Sequence, residues 1–199
     1  MFLTKSTTQP AFNPVLVNDP VLLRRGGLAD HEAWMALREL SRQHLIAWEE
    51  DWTPNELSLA SFKRRLRQYE KDMRRGGALP LLVFRRDDQV LVGGATLTNI
   101  RYGSSRSGLL GYWVGAPYVR HGYGVAAVLA LLHHAFSAIS LNRVVAACQP
   151  ENIASQKLLE RCGFKHEGLA RDYLKINGAW RDHHIYAITA ADFPMRDFV

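Results

Sequence analysis

The stretch RHGYGVA, from Arg120 to Ala126, sets two glycines two residues apart where an apolar, helix-like run begins. Amides in the first turn of a helix have no acceptor within it and stand at the positive end of the helix dipole. Glycines at that point let the main chain close around a phosphate. A tight structural turn uses the same residues, so the pair alone does not decide. Other residues with chemical potential are less organised. Cys148 and Cys162 lack metal-ligand spacing and read as reduced, buried thiols. The pairs His133–His134 and His183–His184 point neighbouring side chains in different directions, and no metal site is expected from them.

The elements that must carry the glycine loop follow from hydrophobic pattern and turn signals. With 199 residues, 47% hydrophobic and 22% charged, the chain has the composition of one globular domain with a sizeable core. An irregular arm is expected over 1–19, a single domain over 20–193 and a short tail over 194–199. A first strand is read at 20–26. A helix follows over 28–43, capped by Asp30, with Trp34, Leu37 and Leu40 turned inward. Thr53-Pro54-Asn55-Glu56 reads as the next helix start, with a cap, a first-turn proline and a capping-box glutamate. Phe62, Leu66, Tyr69 and Met73 then form one stripe, ended by Gly76-Gly77.

Strands are expected at 79–86, 89–100 and 109–116, the last stopped by Pro117. A helix over 125–139, a strand at 142–149, a helix at 151–164 and a hairpin at 169–189, turned at Asn177-Gly178, complete the chain. The order β-α-α-β-β-β-α-β-α-β-β implies an α/β fold: a mixed, mostly antiparallel sheet with helices on both faces.

The opening residues lack a basic leader, and the best apolar run, VAAVLALL, stops at His133. Neither a signal peptide nor a membrane span is expected, and the setting reads as cytoplasmic. A net charge of +6 and a pI near 9.5 favour an anionic ligand or partner. Much of the charge lies in FKRRLRQYEKDMRR (62–75), which reads as a solvated helix face ahead of an RNA-binding one.

In order along the chain, GYWVGAPYVRHGYGVAA, PENIASQKLLERCGFKHEG and DYLKINGAWRDHHIYAIT resemble the GNAT superfamily of N-acetyltransferases. The last two blocks, with HLIAWEE upstream, look particularly like the Rim-type ribosomal-protein-alanine N-acetyltransferases. The resemblance covers about residues 20–193. It implies acetyl-CoA as the acetyl donor, no metal, and direct attack by an amine in a ternary complex. Amides of His121, Gly122, Tyr123, Gly124, Val125 and Ala126 would hold the pyrophosphate, with Arg120 as counter-charge. His121 stands where the family usually has glutamine or arginine. Tyr112, Trp113 and Val114 would run beside the pantetheine arm, with an amide such as that of Val114 facing the thioester oxygen. Asn152 and Ser155 would flank the sulfur, Ser155 assisting the leaving thiolate, although Asn152 serves equally as a helix cap. The family's tyrosine four residues after Ser155 is Leu159 here.

A glutamate found in some Rim-type relatives on the strand LLGYW is Leu109 in this sequence, so a base must come from elsewhere. Glu49 in AWEE leads, with Glu50 and Asp51 as close competitors. Trp48, Glu50, Tyr173 and Arg181 would border the acceptor. An α-amine, with a pKa of about 7.7–8.0, needs less help to lose its proton than a lysine at about 10.4. The resemblance thus implies acetylation of a protein N-terminus, with a ribosomal protein and association with the ribosome as candidates. Direct nucleic-acid binding and membrane association are not expected. Two alternatives stay open: acetylation of a small amine such as a polyamine, amino acid or antibiotic, and a non-catalytic RNA-binding module on the same fold.

Overall fold

A computed structural model describes residues 14–195. Residues 1–13 of the expected arm and 196–199 of the expected tail lie outside the described residues. Eight strands form one sheet: β1 (Leu16–Asn18), β2 (Val21–Arg24), β3 (Leu79–Arg85), β4 (Leu91–Arg101), β5 (Ser107–Val114), β6 (Arg143–Cys148), β7 (Lys165–Ile176) and β8 (Ala179–Thr189). Their spatial order is β1-β2-β3-β4-β5-β6-β8-β7. Every neighbouring pair is antiparallel except β5 and β6, which run parallel. The helices are α1 (His31–Leu40), α2 (Arg42–Leu45), α3 (Leu59–Arg74), α4 (Tyr123–Ser137) and α5 (Ile153–Arg161).

Side chains alternate between the two faces of a strand, and each face buries its own cluster. Val21, Leu23, Leu81 and Val83 join Val128, Leu131 and Leu132 of α4 in the larger core. Leu22, Leu82 and Phe84 meet Trp34 and Leu37 of α1 and Phe62 of α3 on the other face. Helices therefore cover both faces of a mostly antiparallel sheet, as the order of elements implied.

Several local expectations change. Residues 16–18, assigned to the irregular arm, pair with β2 as an edge strand. Three residues are too few to show a two-residue period. Thr53 does not start a helix: its hydroxyl bonds the Glu56 carboxylate at 3.1 Å within a turn. Helix α3 begins at Leu59 instead, under Ser58, whose hydroxyl oxygen accepts the Ser61 amide at 3.2 Å. Asp30 stands at the cap position of α1, but its carboxylate takes the Gly27 amide at 2.7 Å and the Arg24 guanidinium at 2.7 and 2.9 Å. Leu40 is 68% exposed. At about 100° per residue, Trp34, Leu37, Arg38 and Ser41 fill the inward arc, and Leu40 lies outside it. The terminal hairpin starts at Lys165, earlier than expected, and turns at Asn177 and Gly178 with φ of 48° and 72°.

Candidate active site

Strand β5 pairs with β6 only from Ser107 to Leu110, opposite Arg143 to Ala146. From Gly111 to Val114 it keeps β4 and has no ladder partner on the β6 side. Gly115 gives its amide to the Val92 carbonyl at 2.9 Å. By the alternation of a strand, the amides of Tyr112 and Val114 then face away from β4, into the opening. A cavity of about 720 Å³ continues from there, lined by residues 112–114, 118–120, 122–125 and 152–155.

The glycine loop forms one end of this cavity. Gly122 caps α4 with φ 83° and ψ −10°, a left-handed conformation that glycine adopts without a Cβ penalty. The amides of Tyr123, Gly124 and Val125 have no acceptor among the described residues, and no side chain caps the helix. Arg120, Lys157 and Arg161 line the same cavity, against one carboxylate, Glu49. Donors at the positive end of a 15-residue helix, with cations beside them, fit an anionic group. Gly124 answers to packing: a Cβ there would stand 2.7 Å from Leu158 Cδ1.

Two expected members of the cradle sit elsewhere. The Ala126 amide is bonded to the Gly122 carbonyl at 3.0 Å, and its own carbonyl accepts from Asn18 at 3.0 Å. The residue is buried off the cavity. His121 turns its ring onto Tyr123, with centroids 5.9 Å apart, and sets Nδ1 2.8 Å from the Val119 carbonyl. It does not line the cavity.

At the other end, Asn152 caps α5, its Oδ1 accepting the Ser155 amide at 3.0 Å. It also lines the cavity, so the capping and lining roles coincide. Ser155 Oγ lies 2.6 Å from the Tyr112 hydroxyl. Leu159 is fully buried in the core, and the nearby phenol arrives from β5 instead. Burial holds the Tyr112 hydroxyl well above the ordinary phenol range, although the Ser155 hydrogen bond works the other way. Cys148 and Cys162 are both buried. Burial raises the Cys148 thiol and pushes Cys162 up to about 12. Thiols so placed stay protonated and make poor acyl carriers.

A second cavity, about 610 Å³, opens between the sheet and helices α1 and α3. Trp34, Arg38, Glu50, Asp51, Trp52, Glu56, Arg65 and Tyr69 are among its walls. Four residues belong to both cavities: Trp48, Glu49, Tyr112 and Trp113. Glu49 therefore stands where the two spaces meet. Its Oε1 accepts from Arg38 at 3.1 Å, and its Oε2 from Arg38 at 2.5 Å and from Trp52 Nε1 at 2.8 Å. The Arg38 side chain is only 7% exposed. Its guanidinium carbon lies 4.5, 5.1 and 5.6 Å from the ring centroids of Trp52, Trp113 and Trp34.

The loop bearing Trp48 and Glu49 is tied down from both sides. Gln149 donates to the Ala47 carbonyl at 3.1 Å, and Asn177 to the Ile46 carbonyl at 3.0 Å. Tyr173 and Arg181 line neither cavity. Tyr173 falls in a bulge, where β7 takes four steps from Ala170 to Leu174 while β8 takes two from His183 to Arg181. Its ring lies 5.5 Å from that of His183, and Leu174 and Ile176 face the second cavity in its place. The sequence assigns no role to Arg38 or Gln149, and to Asn177 only that of a turn residue. For Arg38 a signal existed: it is four residues from Trp34, on the same helix face.

Residues 21–165 match the acetyltransferase (GNAT) domain family. The chain is 30% identical over 166 residues to the ribosomal protein uS5-alanine N-acetyltransferase of Escherichia coli (strain K12), covering 82% of this chain and 86% of that one. Mycobacterium smegmatis RimJ in complex with CoA-disulfide aligns with a TM-score of 0.84 at 34% identity, over 92% of this chain and 88% of that one. The ribosomal-protein-S5-alanine acetyltransferase from Vibrio fischeri aligns with a TM-score of 0.83 at 27% identity, over 91% and 99%. No helix among the described residues is long and apolar enough to cross a membrane, and none of their His, Cys, Asp and Glu side chains form a group of three or more suited to a metal ion. Unpaired amides at a helix start, a gap between parallel strands and a basic lining all fit coenzyme A. The chain belongs to the GNAT family and is an acetyltransferase that draws its acetyl group from acetyl-CoA.

Proposed function

We propose that the chain acetylates the α-amine of a protein N-terminus, a ribosomal protein being the leading acceptor, in the cytoplasm. One observation carries the reading: two cavities with separate walls meet at Trp48, Glu49, Tyr112 and Trp113. Donor and acceptor can then be present together, which supports direct transfer. The E. coli relative is named for an alanine of uS5, and a net charge of +6 suits an acceptor presented beside RNA. An α-amine is roughly 10–15% neutral at pH 7, whereas a lysine is almost wholly protonated.

Bound acetyl-CoA supplies an acetyl group activated as a thioester, with coenzyme A as the leaving thiol. The amides of Tyr123, Gly124 and Val125 would take the diphosphate, with Arg120 beside them. The Val114 amide faces the gap, where it would donate to the thioester oxygen as negative charge grows there. A carboxylate has about four lone-pair sites, and Glu49 already accepts three hydrogen bonds. The remaining site is open to an N–H of the acceptor, and the place of Glu49 on both cavities favours it as the base over Glu50 and Asp51, which line the second cavity alone. A thiol of pKa about 8.5 is a stronger acid than a phenol near 10. Tyr112 and Ser155 would therefore hold a departing thiolate by hydrogen bonds and keep their own protons.

Tyr112→Phe is expected to lower kcat about 10- to 100-fold with little change in KM, the effect of one lost hydrogen bond to a charged group. The deficit should shrink with thioesters of more acidic thiols, measured by steady-state kinetics. The acceptor is tested with labelled acetyl-CoA and three sets: peptides beginning with Ala or Ser, N-blocked peptides containing Lys, and small amines. Turnover of the free N-termini is expected. Turnover of small amines alone would sink the reading.

A further inference from the structure

Beyond the second cavity lies a third of about 490 Å³, lined by Arg25, Lys63, Arg67 and Glu70 together with the buried Met73 and the exposed Leu28. It shares Gly26, Leu66, Tyr69 and Pro80 with the acceptor cavity, so the two spaces adjoin. Their charges are opposite. Glu49, Glu50, Asp51 and Glu56 line the acceptor end against Arg38 and Arg65; the two arginines pair with Glu49 and Glu56, which leaves Glu50 and Asp51 without an ion-pair partner among the described residues. In the third cavity, Glu70 is tied to Arg74 at 2.6 Å. Arg25, Lys63 and Arg67 have no ion-pair partner among the described residues.

A slot that is negative at one end and positive along its extension matches a chain that begins with an ammonium and continues with carboxylates. A small amine would fill the first chamber and leave the second unused. We infer that the groove along α3 receives the acceptor residues that follow the acetylated one and selects acidic side chains there through Arg25, Lys63 and Arg67. This rests on the N-terminal reading above and adds the kind of sequence the acceptor carries. Exposed ion pairs contribute about 0.2–1 kcal/mol each, so two or three of them correspond to roughly tenfold in kcat/KM.

The test uses ten-residue peptides sharing their first two residues, with Asp and Glu, Asn and Gln, or Lys at positions three to six. They are assayed with the full chain and with a K63E/R67E variant, at low salt and at 0.5 M salt. The acidic set is expected to lead the neutral set about tenfold through KM, at equal kcat. That preference should fade at 0.5 M salt and reverse in K63E/R67E. Both substitutions are at exposed positions, and an unchanged thermal midpoint with unchanged coenzyme A affinity confirms the variant is intact.

Peptides acetylated without a charge preference, or with one that K63E/R67E retains, would overturn the groove and leave the N-terminal reading standing. No turnover of any peptide, beside turnover of a small amine, would remove both. Inhibition by a single-stranded oligonucleotide that K63E/R67E abolishes, with no peptide preference, would reassign the groove to nucleic acid.

Discussion

Gly122→Val is expected to weaken coenzyme A binding by about 100-fold or more while the sheet remains folded. Gly122 has φ 83°, and a β-branched residue reaches that region only at about 1–2 kcal/mol or more. The chain would relax towards a negative φ and re-aim the amides of Tyr123, Gly124 and Val125. Hydrogen bonds to a charged group contribute about 1.5–3 kcal/mol each, and 1.4 kcal/mol is tenfold in affinity. Calorimetric titration with coenzyme A reads the loss. No heavy atom lies within 4 Å of a Cβ placed at Gly122, so folding should be spared. Gly124→Val makes the contrast, because its Cβ would press on Leu158 between α4 and α5 and should lower the thermal midpoint as well. Full affinity in Gly122→Val would dismiss the main-chain cradle.

Glu49→Gln is expected to reduce kcat about 100-fold or more, with partial recovery at higher pH as the acceptor loses its proton unaided. The structure complicates this experiment. Glu49 is the anion paired with Arg38, whose Nε already has no hydrogen-bond partner among the described residues. Leaving a buried guanidinium without its counter-charge costs about 3–5 kcal/mol in comparable cases. A single variant would thus lose activity through a disturbed loop whether or not Glu49 takes a proton. The double variant Arg38→Met with Glu49→Gln separates the effects, because removing both charges together leaves no buried cation unpaired. Restored thermal stability with activity still low and still recovering at high pH identifies a base. Restored activity makes Glu49 a structural anchor and moves the base to Glu50 or Asp51.

Chemistry carried by backbone and local pattern was legible in the sequence. The glycine loop, the Asn152 cap with Ser155 one turn away, and the Asn177-Gly178 turn each need only a few consecutive residues. Contacts between distant elements were not. Thr53 through Glu56 has every residue of a helix start, yet Glu56 is drawn to Arg65, and the helix waits for Ser58. Resemblance of the terminal block to the family points to Tyr173 at the acceptor, and a bulge gives that place to Leu174. A cation on a helix defaults to solvent, and at Arg38 three indoles from different elements overrule that default. Leu159 signalled a missing phenol, and only the parallel pairing of β5 and β6 shows Tyr112 arriving beside Ser155.

Strand β5 loses its neighbour in the middle of the sheet, whereas bare strand backbone ordinarily lies at a sheet's edge. A slender ligand that trades hydrogen bonds with Tyr112 and Val114 would close that breach. Occupancy and folding are then linked, and a ligand at a hundred times its Kd adds ~2.7 kcal/mol to the native state. Heat tolerance of this enzyme in a cell would therefore rise and fall with the supply of the very molecule it consumes.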